Sequence, residues 1–236
     1  MATSGTYAFT VTRDEICKAA LRLVGAYGTG DTIPAQDILD TAQALNMLLK
    51  EFAVDGLPLW CVKTVSIPTV IGQSSYNLST ATGNTLPIRV TDVYLRDATN
   101  NDVTMQLLSR YDYDALGQKF SPGVPNQCYY DPQLGAGSLI VYNVPQDATH
   151  TLKIVYQSQI QDVNTSADTL DFPQEAFRFL KFSLADDIGL EWGCAIADRQ
   201  EIAMKASMLR MKFVDYLQEN ASVFFTPNTI AGGARG

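Results

Sequence analysis

The sequence predicts a mixed α+β fold, in which a four-helix unit carries an inserted antiparallel β domain. Near both ends of the chain, apolar residues recur every three or four positions, which is the spacing of amphipathic helices. Between residues 60 and 170, apolar and polar residues alternate with the period of two that half-buried strands show. The chain has 236 residues, of which 46% are hydrophobic and 18% charged, so its apolar side chains suffice for a core.

The N-terminal segment predicts two helices. Thr12-Arg13-Asp14-Glu15 is a capping box, because the Thr12 hydroxyl can accept from the Glu15 amide while the Glu15 side chain accepts from the Thr12 amide. The second helix follows Pro34, which suits a first helical turn, and ends before Gly56, which suits a C-cap. A short loop joins the two helices, so we expect an antiparallel hairpin. The apolar stripes are Ile16, Ala19, Ala20, Leu23 and Val24, then Ile38, Ala42, Leu45, Leu48, Leu49 and Phe52.

The middle of the chain predicts about six short strands. Residues 90–96 alternate in polarity, and residues 139–142 and 152–156 are β-branched and aromatic runs. Clusters rich in Gly, Pro and Asn separate these runs and predict turns. We therefore expect a small antiparallel sandwich or barrel, interrupted by a short helix within residues 106–117.

Two more helices are predicted after Pro173. Their apolar stripes are Ala176, Phe177, Leu180, Leu184, Ile188 and Trp192, then Ile202, Ala206, Leu209, Phe213, Tyr216 and Leu217. Neither helix pair can bury its stripe alone, because each is only two helices thick. We therefore predict a discontinuous helical domain from residues 1–59 and 171–220, a β domain inserted at 60–170, and a separate C-terminal segment at 221–236.

The composition argues against nucleic-acid binding and against a membrane protein. The net charge is −8, and no cluster of Lys and Arg is present to replace the counterions of phosphate groups. No run of about eighteen apolar residues could span a bilayer. The N-terminus lacks the basic and apolar regions of a secretion signal, so we expect synthesis in the cytoplasm of the producing cell.

No catalytic, cofactor-binding or metal-binding residue is predicted, and we expect a protein that is not an enzyme. The only histidine, His150, has no sequence partner for a catalytic triad or a zinc site. The four cysteines lack a C-x-x-C pair, and we expect mostly buried thiols that act as small hydrophobic residues. They are Cys17, Cys61, Cys128 and Cys194.

Three carboxylates are the strongest alternative to this prediction. Asp186 and Asp187 lie in an otherwise apolar predicted helix and are followed by Glu191, and a hydrolase could use such a pair. We favour a surface role, in which these groups pair with basic side chains of the last helix. The candidates for that pairing are Arg199, Lys205 and Arg210.

The C-terminal segment is too apolar for a solvated tail. Val223, Phe224, Phe225 and Ile230 follow one another without helical or strand periodicity. We predict that this segment docks on a neighbouring chain and becomes ordered when it binds.

Four stretches of the chain carry a resemblance to a known family. They are Tyr7, Phe9 and Val11 before residues 12–16; residues 44–52 with 55–60; residues 125–130 with 142–145; and residues 172–177 with 184–193. In this order they resemble the podovirus head-to-tail adaptors, the packaged-DNA stabilisation or tail tubular protein A-like proteins. The resemblance covers most of the chain and consists of packing residues.

The resemblance implies a structural role in the virion, at the head-to-tail junction. Such a protein forms a ring, typically a dodecamer, below the portal protein; the ring extends the DNA channel, completes the filled head and attaches the tail. The implied partners are the portal protein, a tail nozzle or tail tubular protein, and DNA that passes without specific binding. The family anchors its C-terminal segment on the portal, which here implies contacts from Val223, Phe224, Phe225, Pro227 and Ile230.

The second hypothesis is a ligand- or carbohydrate-binding β domain on a helical stalk. Aromatic side chains of the predicted strands and of the segment between them could form a platform for sugar rings, although strand aromatics are more often part of a core. These side chains are Tyr94, Tyr111, Tyr113, Tyr129 and Tyr130.

Overall fold

The computed structural model of the protein describes residues 5, 7, 9–55, 59–83 and 86–217. Within these residues the chain forms six α-helices and ten β-strands, which confirms the predicted mixed α+β class. The helices are α1 (Arg13–Leu23), α2 (Ala35–Asp55), α3 (Leu78–Ala81), α4 (Arg110–Ala115), α5 (Phe177–Ile188) and α6 (Ile196–Leu217). The strands are β1 (Val62–Pro68), β2 (Ser75–Asn77), β3 (Arg89–Arg96), β4 (Asp102–Thr104), β5 (Gln106–Leu108), β6 (Pro122–Gly123), β7 (Gln127–Asp131), β8 (Ser138–Tyr142), β9 (Val144–Pro145) and β10 (Thr151–Gln157).

The predicted capping box at the start of α1 is confirmed. The Thr12 hydroxyl accepts from the Glu15 amide at 3.4 Å, and the Thr12 amide donates to Glu15 Oε2 at 2.8 Å. Two of the amides that a helix N-terminus leaves without partners are thereby satisfied. α2 likewise begins directly after Pro34, as the sequence predicts.

The four long helices share one buried cluster. α5 contacts α1, α2 and α6, and α1 contacts α2. At the centre of the cluster, the ring of Phe213 lies 5.6 Å from that of Phe179 and 5.8 Å from that of Phe52, measured between ring centroids. The Trp60 ring lies 5.9 Å from Phe213. Aromatic contacts therefore join α2, α5 and α6 with the segment that leads into β1.

The strands form two four-stranded sheets and one two-stranded sheet. The first sheet has the order β1-β10-β3-β4 and is antiparallel throughout. The second has the order β2-β8-β7-β5, and β6 pairs with β9 in the third. Buried side chains of both large sheets belong to one cluster, so the sheets pack face to face.

The prediction of a purely antiparallel β region is wrong for two strand pairs. β5 pairs with β7 and β6 pairs with β9 in parallel. The connection from β5 to β7 contains α4, and a crossover of this length brings a chain back in its original direction. The predicted short helix within residues 106–117 is confirmed as α4. Apart from β7, the strands that were not predicted have only two or three residues, too few for an alternating pattern.

Polar side chains tie the chain leaving β10 to the helices. Gln157 Nε2 donates to the Ala53 carbonyl of α2 at 3.0 Å. Further along, Lys50 Nζ donates to the Ile160 carbonyl at 2.7 Å. A side chain at the end of β10 thus satisfies a backbone carbonyl of α2, and a side chain of α2 satisfies a backbone carbonyl of the segment after β10.

Candidate interaction site

The C-terminal residues that the resemblance implies as portal contacts lie outside the described residues. They are Val223, Phe224, Phe225, Pro227 and Ile230. The described chain ends with α6 at Leu217, so α6 is the element that precedes this segment.

α6 exposes an apolar face that was not predicted from the sequence. Its buried side chains Ile202, Ala206 and Phe213 turn towards the other helices. On the opposite side, Met204, Met208 and Met211 are 68%, 47% and 69% exposed. We call these three residues the methionine face. The three methionines have the spacing i, i+4, i+7 in the sequence. The buried stripe of the same helix has the same period, and only that stripe was predicted.

α2 also exposes apolar side chains. Leu39, Met47 and Val54 are 50%, 59% and 74% exposed, and we call them the α2 face. Leu39 and Met47 border an open groove of about 420 Å³ between α2 and the segment at residues 162–164. A solvent-facing helix surface normally carries polar residues, so both apolar faces are unusual.

The predicted carboxylates line a groove between α2, α5 and α6. Asp186 and Asp187 border this space of about 220 Å³ together with Glu51 and Arg210. Partial burial, followed by the charges of Glu191, Glu51 and Asp186, raises the pKa of Asp187. Of the basic partners that the sequence suggested, Lys205 instead pairs with Glu201, one turn away on α6.

Three of the four cysteines are buried, and the histidine contacts an aspartate of its own turn. Burial raises the pKa of Cys17 and Cys128 to about 12 and that of Cys61 to about 11, so these thiols stay protonated. His150 Nδ1 lies 3.0 Å from Asp147 Oδ1 in the turn before β10. Among the described residues, no group of three or more His, Cys, Asp or Glu side chains is placed to hold a metal ion.

The tyrosines of the second hypothesis make several separate contacts. Tyr113 stacks on Tyr129 with 5.4 Å between ring centroids, and Lys119 Nζ covers the Tyr113 ring at 4.6 Å. The Tyr130 hydroxyl donates to the Pro87 carbonyl at 2.7 Å and its ring packs on the buried cluster of the sheets. Tyr111 is exposed on α4. The Arg96 guanidinium lies 6.0 Å from the centroid of the Tyr94 ring. The sugar platform stays a prediction.

The described surface offers two exposed apolar helix faces that are suited to contacts with other proteins. It presents two apolar helix faces, and no helix in the described part of the chain is long and apolar enough to cross a membrane. The fold is α+β, and its exposed apolar faces are typical of proteins that bind other proteins.

Comparison with known protein families agrees with this class. The model of the SU10 adaptor protein family matches residues 11–219, which is most of the chain. The protein belongs to the SU10 adaptor protein family, and this membership indicates a structural role as a phage adaptor in the virion. Comparison with curated proteins gave no match.

Proposed function

We propose that the protein is a head-to-tail adaptor of a podovirus-like phage that assembles as a ring, typically of twelve copies, below the portal protein. In this role it extends the DNA channel, completes the filled head and attaches the tail. The match to the adaptor family over residues 11–219 carries the proposal. The two exposed apolar helix faces support it, because an assembling subunit needs such surfaces.

Within this function, we propose that α1, α2, α5 and α6 act as one four-helix unit from residues 1–59 and 171–220, into which residues 60–170 are inserted as a β domain. The shared buried cluster of these helices supports the unit. The strands have a second buried cluster of their own, which supports the separate insertion. Each part then has the core that an independent function in the assembly requires.

The charge of the chain suits a channel through which DNA moves. The net charge is −8, and like charge between protein and phosphate favours passage over tight binding. In a closed ring each subunit also meets its two neighbours through two different surfaces. The separation of apolar side chains between α2 and α6 supports such an arrangement.

The experiment that tests the function is a binding assay with the portal protein encoded by the same phage. The full chain and the portal are mixed, separated by sedimentation and imaged by electron microscopy. We expect a ring of the chain below the portal, and a subunit count near twelve by mass measurement. Sedimentation of the two proteins as separate species at micromolar concentrations would overturn the proposal.

A variant tests the docking of the C-terminal segment. Replacing Phe224 and Phe225 by serine removes two large apolar groups from residues 221–236. We expect portal binding to weaken by roughly tenfold or more, because a few buried aromatic residues dominate most interfaces. Asn228→Ser in the same segment is the control, and equal binding by both variants would assign the portal contact to another surface.

A further inference from the structure

We propose that the C-terminal segment, residues 221–236, folds back along α6 and covers the methionine face in the free subunit. The apolar run at residues 223–225 packs on Met208 and Met211. The contact is made within one chain, so it goes beyond the adaptor function proposed above and does not depend on it. The segment itself lies outside the described residues, and its sequence together with the geometry of α6 carries the proposal.

The methionine face is a narrow strip that runs towards the end of α6. At about 100° per residue, its three methionines lie within roughly 60° of one another around the helix axis. Phe213, which is buried against the other helices, lies on the opposite side. Asp215 lies one turn beyond Met211 on the same strip, and α6 ends soon after it at Leu217. A chain that turns back after Leu217 therefore meets a polar group first and the methionines after it.

The sequence after α6 has the same order of polarity. Residues 218–222 are Gln, Glu, Asn, Ala and Ser, and residues 223–225 are Val, Phe and Phe. An extended chain advances about 3.4 Å per residue, so Phe224 can lie up to about 24 Å from Leu217. Met211 precedes Leu217 by about 9 Å of helix. The polar residues thus suffice for the turn, and the apolar run arrives beside the methionines.

A further apolar residue matches the far end of the methionine face. From Phe225 to Ile230 an extended chain covers up to about 17 Å. From Met211 back to Met204 the helix covers about 10 Å. Ile230 can therefore reach Met204 while the apolar run stays on Met211. Methionine side chains are flexible and polarisable and contact aromatic rings favourably, so this face adapts to the incoming phenylalanines.

Tethering favours this segment over a second copy of the chain. A segment joined to its target by a short linker acts at an effective concentration of about a millimolar. Free copies at micromolar concentrations compete poorly with it. Between residues 221 and 236 the only charged residue is Arg235, near the end. The contact therefore needs no charged partner on α6 and is driven by the burial of apolar surface.

The contact links the free subunit to the assembly proposed above. The same apolar run is implied in portal binding, and it cannot cover α6 and bind the portal at the same time. Binding to the portal therefore uncovers the methionine face. Before that step, the covered face is protected from non-specific association with other apolar surfaces.

Oxidation of the methionines tests the contact on the full chain without the portal. Hydrogen peroxide transfers one oxygen atom to an exposed thioether, which becomes a sulfoxide while water is released. Met47 on α2 is 59% exposed, between the values of Met208 and Met211, and serves as the internal reference. We expect Met208 and Met211 to be oxidised more slowly than Met47 by roughly threefold or more, as read by peptide mass spectrometry.

The variant Phe224→Ser, Phe225→Ser removes the cover. We expect both methionines then to be oxidised at about the rate of Met47, a gain of roughly threefold or more over the wild type. Asn228→Ser in the same segment is the matched control and should keep the wild-type rates. The buried Met105 should be oxidised slowly in every chain, which establishes that the variants are folded.

Thiol cross-linking locates the segment on α6. The variant Met208→Cys, Thr226→Cys is treated with a short bismaleimide, and the link within one chain is measured in the monomer band. The control is Met47→Cys, Thr226→Cys, because Met47 borders the groove at residues 162–164 and not the one beside α6. We expect the first variant to link in higher yield than the control by roughly threefold or more. The wild-type chain, with its half-buried Cys194, measures the background.

The outcomes are clear for this contact and separate from those for the assembly. Equal oxidation of Met208, Met211 and Met47 in the wild type would overturn the contact, as would equal link yields in the two cysteine variants. Protection that weakens on dilution would also overturn it, because a second copy leaves on dilution and an attached segment does not. None of these results bears on ring formation, which is measured with the portal. Failure to bind the portal would in turn leave this contact in place.

Discussion

The side-chain amide of Asn46 forms two hydrogen bonds with the backbone of Val163. Asn46 Nδ2 donates to the Val163 carbonyl at 3.2 Å, and Asn46 Oδ1 accepts from the Val163 amide at 3.0 Å. The Asn46 side chain thus pairs with both backbone groups of the buried Val163, as the backbone of a neighbouring strand would. Together with Lys50, which holds the Ile160 carbonyl, it fixes the segment after β10 along α2.

We expect Asn46→Ala to destabilise the protein by about 1–3 kcal/mol, because both backbone groups of Val163 lose their partner in a buried setting. Urea unfolding measures this change. Gln43→Ala, at an exposed position one turn earlier on α2, is the control and should stay within about 0.5 kcal/mol of the wild type. Equal midpoints for the two variants would mean that water replaces the Asn46 side chain without loss.

Phe213 should be the most sensitive position of α6. Its ring contacts Phe52, Phe179 and Trp60, and Phe213→Ala should cost about 3–5 kcal/mol through the cavity that it leaves. The loss is measured by chemical denaturation followed by near-ultraviolet circular dichroism. Met211→Ala on the exposed side of the same helix should change stability little. A small loss for Phe213→Ala would contradict the central place of this ring in the helical core.

Asp187 should destabilise the fold at neutral pH. Partial burial, then Glu191, Glu51 and Asp186, raise its pKa above the ordinary 3.8, so the folded chain holds this proton more tightly than the unfolded chain does. Stability therefore falls as pH rises through the interval above 3.8. We expect Asp187→Asn to unfold at higher urea concentration than the wild type at pH 7, with the difference shrinking towards pH 4.

The control for this prediction is Asp215→Asn, which removes a carboxylate from the exposed side of α6. It shows how much of any change comes from the lower net negative charge alone. The prediction is contradicted if Asp187→Asn gains no more stability than Asp215→Asn, or if its gain is the same at pH 4. Either result would mean that the groove does not raise the pKa of Asp187.

We expect the stability of the protein to depend on the charge of Asp97, which lies in the turn after β3. Hydrogen bonds from the Asn101 amide at 2.9 Å and from Thr99 at 2.7 Å lower the pKa of Asp97 to about 2. This stabilisation is complete above 3.8, the ordinary pKa, and is lost as pH falls through about 2. We expect Asp97→Ala to be less stable than the wild type at pH 7, with the difference shrinking as the pH falls towards 2.

Asp97→Asn separates the charge of this side chain from its acceptor geometry. The amide keeps one acceptor oxygen for the Asn101 and Thr99 donors but cannot lose a proton. Its stability should lie between those of the wild type and Asp97→Ala at pH 7. A difference between wild type and Asp97→Ala that is the same at every pH would rule out a contribution from ionisation.

Local interactions of the fold were predictable from the sequence, and long-range ones were not. The capping box of Thr12 and Glu15 involves residues three positions apart, so the motif contains its own partner. Asn46 and Val163 are 117 positions apart, and nothing near either residue identifies the other. The parallel pairing of β5 with β7 was missed for the same reason, because alternation indicates a strand but not its neighbour.

The candidate site was predictable only in part. The sequence indicated that the chain lacks the common catalytic motifs and that its C-terminal segment is unusually apolar. The methionine face was readable as a pattern, yet periodicity alone does not decide which of two apolar stripes on α6 is buried. That decision depends on α5, whose side chains cover Ile202 and Phe213 and leave Met204 in solvent.

The pairing of β1 with β10 has a mechanical consequence. The two strands run antiparallel from Val62 beside Gln157 to Pro68 beside Thr151, and both connect to the helical part of the chain at the same end. A force that pulls the far loops of the sheets away from the helices therefore stretches both strands in the same direction. Two covalent backbones share the tension, and the ladder of hydrogen bonds between them is not sheared. The attachment therefore resists pulling along the strands, which is the load that the proposed head-to-tail adaptor would carry.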